Sequence, residues 1–221
     1  MEINSLPRLP LHTHFMSCSP ETPRNLVILL HGYGANGEDL LSLSPYWKNA
    51  LPFTLFAAPD APHAYPYSRE GRMWFEIENL SPQAIQNNIF PILPDIEHYI
   101  RDLQEQTNVA AQHTALVGFS QGAMLALSLG LWAAQPLCQC IVSYAGLLIP
   151  APTPPTQHPS CLLIHGKADE LIPYQASEDA KKRLTKYHVP VQLDLISHLG
   201  HGIDPQGITS GGLFLEKHLQ K

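Results

Sequence analysis

Apolar runs recur along the chain with helix-like stretches between them: LVILL (26–30), FTLFAAP (53–59), TALVGF (114–119), CIVSYAG (140–146), CLLIHG (161–166) and VQLDLIS (191–197). Their hydrophobicity is continuous rather than alternating, which predicts strands covered on both faces and therefore a mostly parallel sheet joined by crossover helices. Residues 12–18 alternate more and precede a turn bounded by Pro20 and Pro23, so they read as an antiparallel strand at one edge. Helices are expected at 36–50, with Asn36 as N-cap, at 121–135, stopping before Pro136, and at 175–188. In the last, Glu178 and Asp179 come early and Lys181, Lys182, Arg183 and Lys186 late, matching the helix dipole. The stretch 81–107 has helical character but contains Pro91 and Pro94, and predicts a kink or two helices. The proline-rich 149–160 has no periodicity and reads as a surface loop. The fold class is α/β, with one domain spanning 1–221.

Composition narrows the partners. With 44% hydrophobic and only 14% charged residues, much of the chain must be buried. A net charge of −6 gives no attraction to phosphate backbones or anionic lipid, so no nucleic acid partner is expected. No basic leader with an apolar core opens the chain, and no run approaches the ~20 apolar residues of a membrane helix. A cytoplasmic protein without membrane insertion is the expectation, and a homodimer is left open. Cys18, Cys138, Cys140 and Cys161 lack metal-ligand spacing and read as thiols of a reducing compartment, with Cys138 and Cys140 on one face of a strand. The 12 histidines are scattered without an HExxH pair, so neither a metal nor a cofactor is expected.

The candidate chemistry begins at Ser120. Gly118, Ser120 and Gly122 form G-x-S-x-G where a strand-like run meets a helix-like one, the context in which a serine is lifted onto a strained turn as a nucleophile. A serine hydroxyl needs a base. Within SHLGHGI (197–203), His201 stands between Gly200 and Gly202 in a loop, whereas His198 still belongs to the strand end, so His201 is the candidate. Asp169, just past the strand of HGKADELIP (165–173), is the candidate partner for the imidazole; Asp194 competes but lies inside a strand. The glycine-rich LLHGYGAN (29–36) can turn backbone N–H groups toward a growing oxyanion, and the donors are assigned to Tyr33 and Gln121. His31 reads as a brace for that turn.

With these motifs in hand, LLHGYGANGEDL, APDAP, GRMWFEI, VGFSQGAMLAL, LLIHGKADELIPY and LGHGI together make the chain resemble the phospholipase/carboxylesterase family of α/β-hydrolases. The resemblance runs from Leu29 onward. It implies an α/β-hydrolase fold, a Ser120–His201–Asp169 triad with the Tyr33 and Gln121 amides as oxyanion hole, and hydrolysis of carboxylic esters; 221 residues leave no segment for a large cap, so an open groove taking short to medium acyl chains is expected. Acyl-protein thioesterase or lysophospholipase activity is the alternative within chemistry. A hydrolase-fold protein that binds a small ligand with little turnover is the alternative outside it. The resemblance also suggests that Trp74 and Phe75 line the acyl pocket, against the alternative of an aromatic anchor packing its loop. Loops such as 60–74 are expected to cover an open site.

Overall fold

A computed structural model describes residues 10–219. Its main sheet is built from β1 (Thr13–Ser17), β2 (Asn25–Leu30), β3 (Thr54–Pro59), β6 (Thr114–Phe119), β7 (Cys140–Tyr144), β8 (Ser160–Gly166) and β9 (Val191–Ile196). The strands lie in the order β1-β3-β2-β6-β7-β8-β9. β1 alone pairs antiparallel, with Thr13 opposite Pro59 and Ser17 opposite Leu55, and it closes one edge. Every other neighbouring pair in this sheet is parallel. A second, two-stranded sheet, β4 (His63–Ala64) with β5 (Arg72–Met73), stands outside it.

The apolar runs are continuous because both faces are covered. Leu26, Ile28 and Leu30 of β2 belong to the core layer that also takes in buried residues of α3 (Pro82–Ile89), α4 (Leu93–Thr107), α5 (Gln121–Trp132) and α6 (Gln175–Lys186). Val27 and Leu29 face the other way, onto Leu40 of α1 (Gly37–Leu41), Trp47 of α2 (Ser44–Trp47) and Phe214 and Leu215 of α7 (Pro205–Leu219). Truncating a leucine in such a layer to alanine costs about 2–5 kcal/mol. β9, at the other edge, is only half-buried over most of its length.

Four expectations need correction. The span 36–50 is two short helices, not one. Asn36 caps α1, accepting from the Asp39 N–H at 3.0 Å, but Pro45 has no N–H to give to the Leu41 carbonyl, and the Ser44 hydroxyl takes that acceptor instead. The helices at 121–135 and 175–188 end earlier, at Trp132 and Lys186. Cys138 and Cys140 do not share a strand face: Cys138 precedes β7 and packs in one core layer, while Cys140, beyond a bend at Gln139, faces the other. Helix α7 has no counterpart in the sequence reading. By contrast, 81–107 is two helices, α3 and α4, joined by a tight turn at Phe90–Ile92.

Topology positions the site. From β2 the chain moves to β3 on one side and later to β6 on the other, so the loops after β2 and β6 diverge from adjacent strand ends. Crevices at such switch points, beyond the carboxyl ends of the strands, are where open α/β sheets bind ligands.

Candidate active site

Ser120 sits at that switch point, between β6 and α5, with φ 52° and ψ −113°. A non-glycine residue held at positive φ stores about 1–3 kcal/mol of strain. The flanking glycines explain how the turn survives: a Cβ on Gly118 would collide with the Gly122 backbone, and one on Gly122 with the Leu30 carbonyl. The turn is tied down by the Ser120 N–H, which donates to the Tyr144 carbonyl at 2.9 Å, and by the Ala123 and Met124 N–H groups, which donate to the Ser120 carbonyl.

The three side chains singled out from sequence converge here. His201 Nε2 lies 2.9 Å from Ser120 Oγ, and His201 Nδ1 lies 2.8 Å from Asp169 Oδ2. Because Nδ1 faces a carboxylate oxygen, it carries the proton, leaving Nε2 to accept from the serine hydroxyl. Asp169 Oδ1 accepts from the Leu171 and Ile172 N–H groups, both at 2.9 Å. Burial pushes the Asp169 carboxyl up, but these N–H donors and His201 outweigh it and hold the group below its ordinary value. His198 is exposed and Asp194 lies within β9; neither bonds to Ser120, His201 or Asp169.

His165, which the sequence reading passes over, completes the arrangement. It is fully buried, and its Nε2 faces both Asp169 Oδ2 at 3.1 Å and the Ile172 carbonyl at 2.9 Å, so Nε2–H is the donor. Its Nδ1 then accepts from the Ser177 hydroxyl at 2.7 Å. Burial lowers the pKa of this imidazole and keeps it neutral. One oxygen of Asp169 thus receives two imidazole N–H groups. The four-residue spacing from His165 to Asp169 was the available signal, but it also fits an unrelated strand end.

Tyr33 lines the cavity at Ser120 and Gln121 directly follows that serine, and neither backbone N–H has a protein acceptor among the described residues. His31 is the brace expected of it: its Nδ1 donates to the Gly32 carbonyl at 2.8 Å, and its Nε2 accepts from the Ala61 N–H at 3.0 Å. The Gln121 side chain is fully buried and bonds twice to the loop after β5, accepting from the Trp74 N–H at 2.8 Å and donating to the Phe75 carbonyl at 2.7 Å. Trp74 also donates its indole N–H to the His31 carbonyl at 2.9 Å.

Trp74 and Phe75 therefore do not line the cavity at Ser120, where the resemblance suggested them; they clamp Gln121 and His31. The cavity has a volume of about 300 Å³, and its apolar walls include Ile77, Leu80, Phe119, Met124 and Leu171. Loop 60–74 supports its rim instead: the Tyr65 ring stands edge-on against Tyr33 at 5.1 Å, and Arg72 exchanges backbone hydrogen bonds with Gly34 and Ala35.

A strained serine bonded through a histidine to a buried aspartate, at the carboxyl edge of a mostly parallel sheet, defines an α/β-hydrolase. Comparison with known proteins narrows this: residues 12–219 match the phospholipase/carboxylesterase family model, and the chain belongs to that family. It is 31% identical to esterase YpfH of Escherichia coli over 198 residues, covering 87% of this chain and 83% of that protein. Acyl-protein thioesterase 1 of Kluyveromyces lactis is 25% identical, over 96% of this chain and all (100%) of that protein. Among solved structures, esterase PE8 superposes with a TM-score of 0.88 at 33% identity, covering 95% of this chain and 99% of that one. The chain is a hydrolase of the carboxylesterase/thioesterase type. Among the described residues, no helix is long and apolar enough to cross a membrane.

Proposed function

We propose that this protein hydrolyses carboxylic esters of short to medium acyl chains in the cytoplasm through an acyl-enzyme on Ser120. The observation that carries the reading is the unbroken path of hydrogen bonds from Asp169 through His201 to a serine held at positive φ. Ser120 Oγ attacks the ester carbonyl while His201 Nε2 takes the hydroxyl proton. The developing imidazolium is stabilised by Asp169, already an anion. The oxyanion accepts from the Tyr33 and Gln121 N–H groups, and each such donor is worth about 10²–10³ in rate. His201 then returns the proton to the departing alcohol, and water, deprotonated by the same imidazole, releases the acid.

A cavity of about 300 Å³ stands at the small end of ligand pockets, which run from roughly 300 to 1,000 Å³. Its rim residues Leu80 and Leu171 are 42% and 61% exposed, so a long acyl chain would run into water. This favours short to medium chains. A thioester would enter the same site with a thiol as leaving group, and the thioesterase names among the relatives support testing one. A fluorophosphonate probe with mass spectrometry, alongside a p-nitrophenyl ester assay, is the test. Label on Ser120 in wild type, with label and turnover both lost in a folded Ser120→Ala, is the expected result. An unlabelled Ser120 in a protein without turnover would favour a ligand-binding protein, whereas activity surviving Ser120→Ala would place the nucleophile elsewhere.

A further inference from the structure

A second convergence of polar side chains lies where edge strand β1 meets the carboxyl end of β3, and it shares no side chain with the hydrolytic site. His12 and His14 are two residues apart on extended chain, which puts both imidazoles on one face. Pairing of β1 with β3 brings Asp60 to them: the Asp60 N–H donates to the His12 carbonyl at 2.8 Å. His12 Nδ1 is 2.9 Å from Asp60 Oδ2, and His14 Nε2 is 3.3 Å from Oδ1. The candidate donor atoms of all three residues lie within 4.8 Å of one another. The two rings stand perpendicular at 4.7 Å.

The carboxylate is fixed from behind by the Gly37 N–H, which donates to Oδ1 at 2.8 Å. We propose that His12, His14 and Asp60 bind a divalent cation of the zinc class, which ties strand β1 to the end of β3 and the start of α1.

The geometry supports that class. Zinc takes imidazole nitrogen and carboxylate oxygen at about 2.0–2.2 Å, and donors on a tetrahedron of that radius stand roughly 3.4 Å apart. The separations of 2.9 and 3.3 Å are already close to that, and the exposed His12 ring can turn to complete the set. Two imidazoles with one carboxylate suit zinc, copper or nickel; calcium and magnesium prefer all-oxygen shells. The fourth position faces solvent beside His12 and would hold water. The sequence conceals the site because His12 and Asp60 are 48 residues apart and no fixed motif spaces them.

The test uses tag-free, full-length protein stripped with chelator, titrated with zinc chloride by calorimetry and followed by thermal unfolding, with calcium chloride as control. One equivalent of zinc should bind and raise Tm, with calcium giving neither effect. His12→Ala/His14→Ala and Asp60→Asn should each weaken zinc binding by at least about tenfold. The Tm rise should vanish in both variants, while metal-free ester hydrolysis persists. His12 is exposed, so the single His12→Ala reports on affinity even where the other variants fold poorly. Undiminished binding in these variants, or no saturable binding by wild type, would overturn the site; equal binding of calcium would overturn the class.

Discussion

Ser120, His201 and Asp169 were legible in the sequence because each belongs to a motif with its own local reason: a crowded turn, a loop histidine and a strand end. His165 was not, since its role depends on which carboxylate a buried strand residue faces. Hydrogen bonds to charged groups are worth about 1.5–3 kcal/mol, roughly a tenfold to hundredfold change. His165→Leu should therefore lower kcat by about that factor with KM nearly unchanged. The cause would be positional, an Asp169 carboxylate free to turn no longer holding His201 toward Ser120. Lost stability with kcat intact would make His165 merely structural. The cavity wall offers a separate test: Met124→Trp should abolish hydrolysis of medium-chain p-nitrophenyl esters while sparing the acetate. An unaltered chain-length profile would put the acyl chain elsewhere.

Elements were legible where pattern and chemistry agreed. Pro91 and Pro94 announced the break between α3 and α4. Helix α7 was hidden by Gly207, Gly211 and Gly212, which dilute its apolar period; Asp204 was the available signal, its carboxylate accepting from the Gly207 N–H at 2.7 Å just before Pro205. The misplacement of Trp74 and Phe75 has a similar cause. Aromatic residues near a site read as pocket walls, and only the fold reveals that their backbone groups meet the Gln121 amide. Gln121→Leu would orphan a buried Trp74 N–H and Phe75 carbonyl, at about 1–3 kcal/mol each. Urea unfolding should show a loss of that order, with Gln121→Glu less damaging than Leu because it keeps the acceptor for Trp74. No loss in either variant would mean that the loop after β5 finds other partners.

For the whole molecule, the sheet's class and its active edge could be read from the runs, whereas the strand order could not, because lateral neighbours are chosen by long-range pairing. Burial of neutral histidines has a global consequence. His31 and His165 are fully buried, and burial lowers both pKa values below the ~6.5 of an unfolded chain. Below that pH the unfolded chain takes up protons that the folded one refuses. Their contribution is complete above about pH 6.5 and is lost as pH falls, by up to about 1.4 kcal/mol per pH unit for each ring. The depressed carboxyls of Asp60 and Asp169 act lower, their stabilisation being lost only as pH falls below about 4. The urea midpoint should thus be steady from pH 8 to 7 and decline from 6.5 to 5. A flat midpoint across pH 5–7 would mean that both rings protonate in place.

The placement of the thiols turns the protein into its own clock. Cys138, Cys140 and Cys161 are buried at the starts of β7 and β8, and burial pushes each thiol up, Cys140 to about 12. Cys18, half-buried, follows β1 and donates its backbone N–H to the Thr54 carbonyl at 3.1 Å. Alkylation of the three buried thiols must wait for the sheet to open, whereas alkylation of Cys18 requires only that the edge strand lift. The ratio of the two labelling rates separates fraying from global unfolding without any added probe.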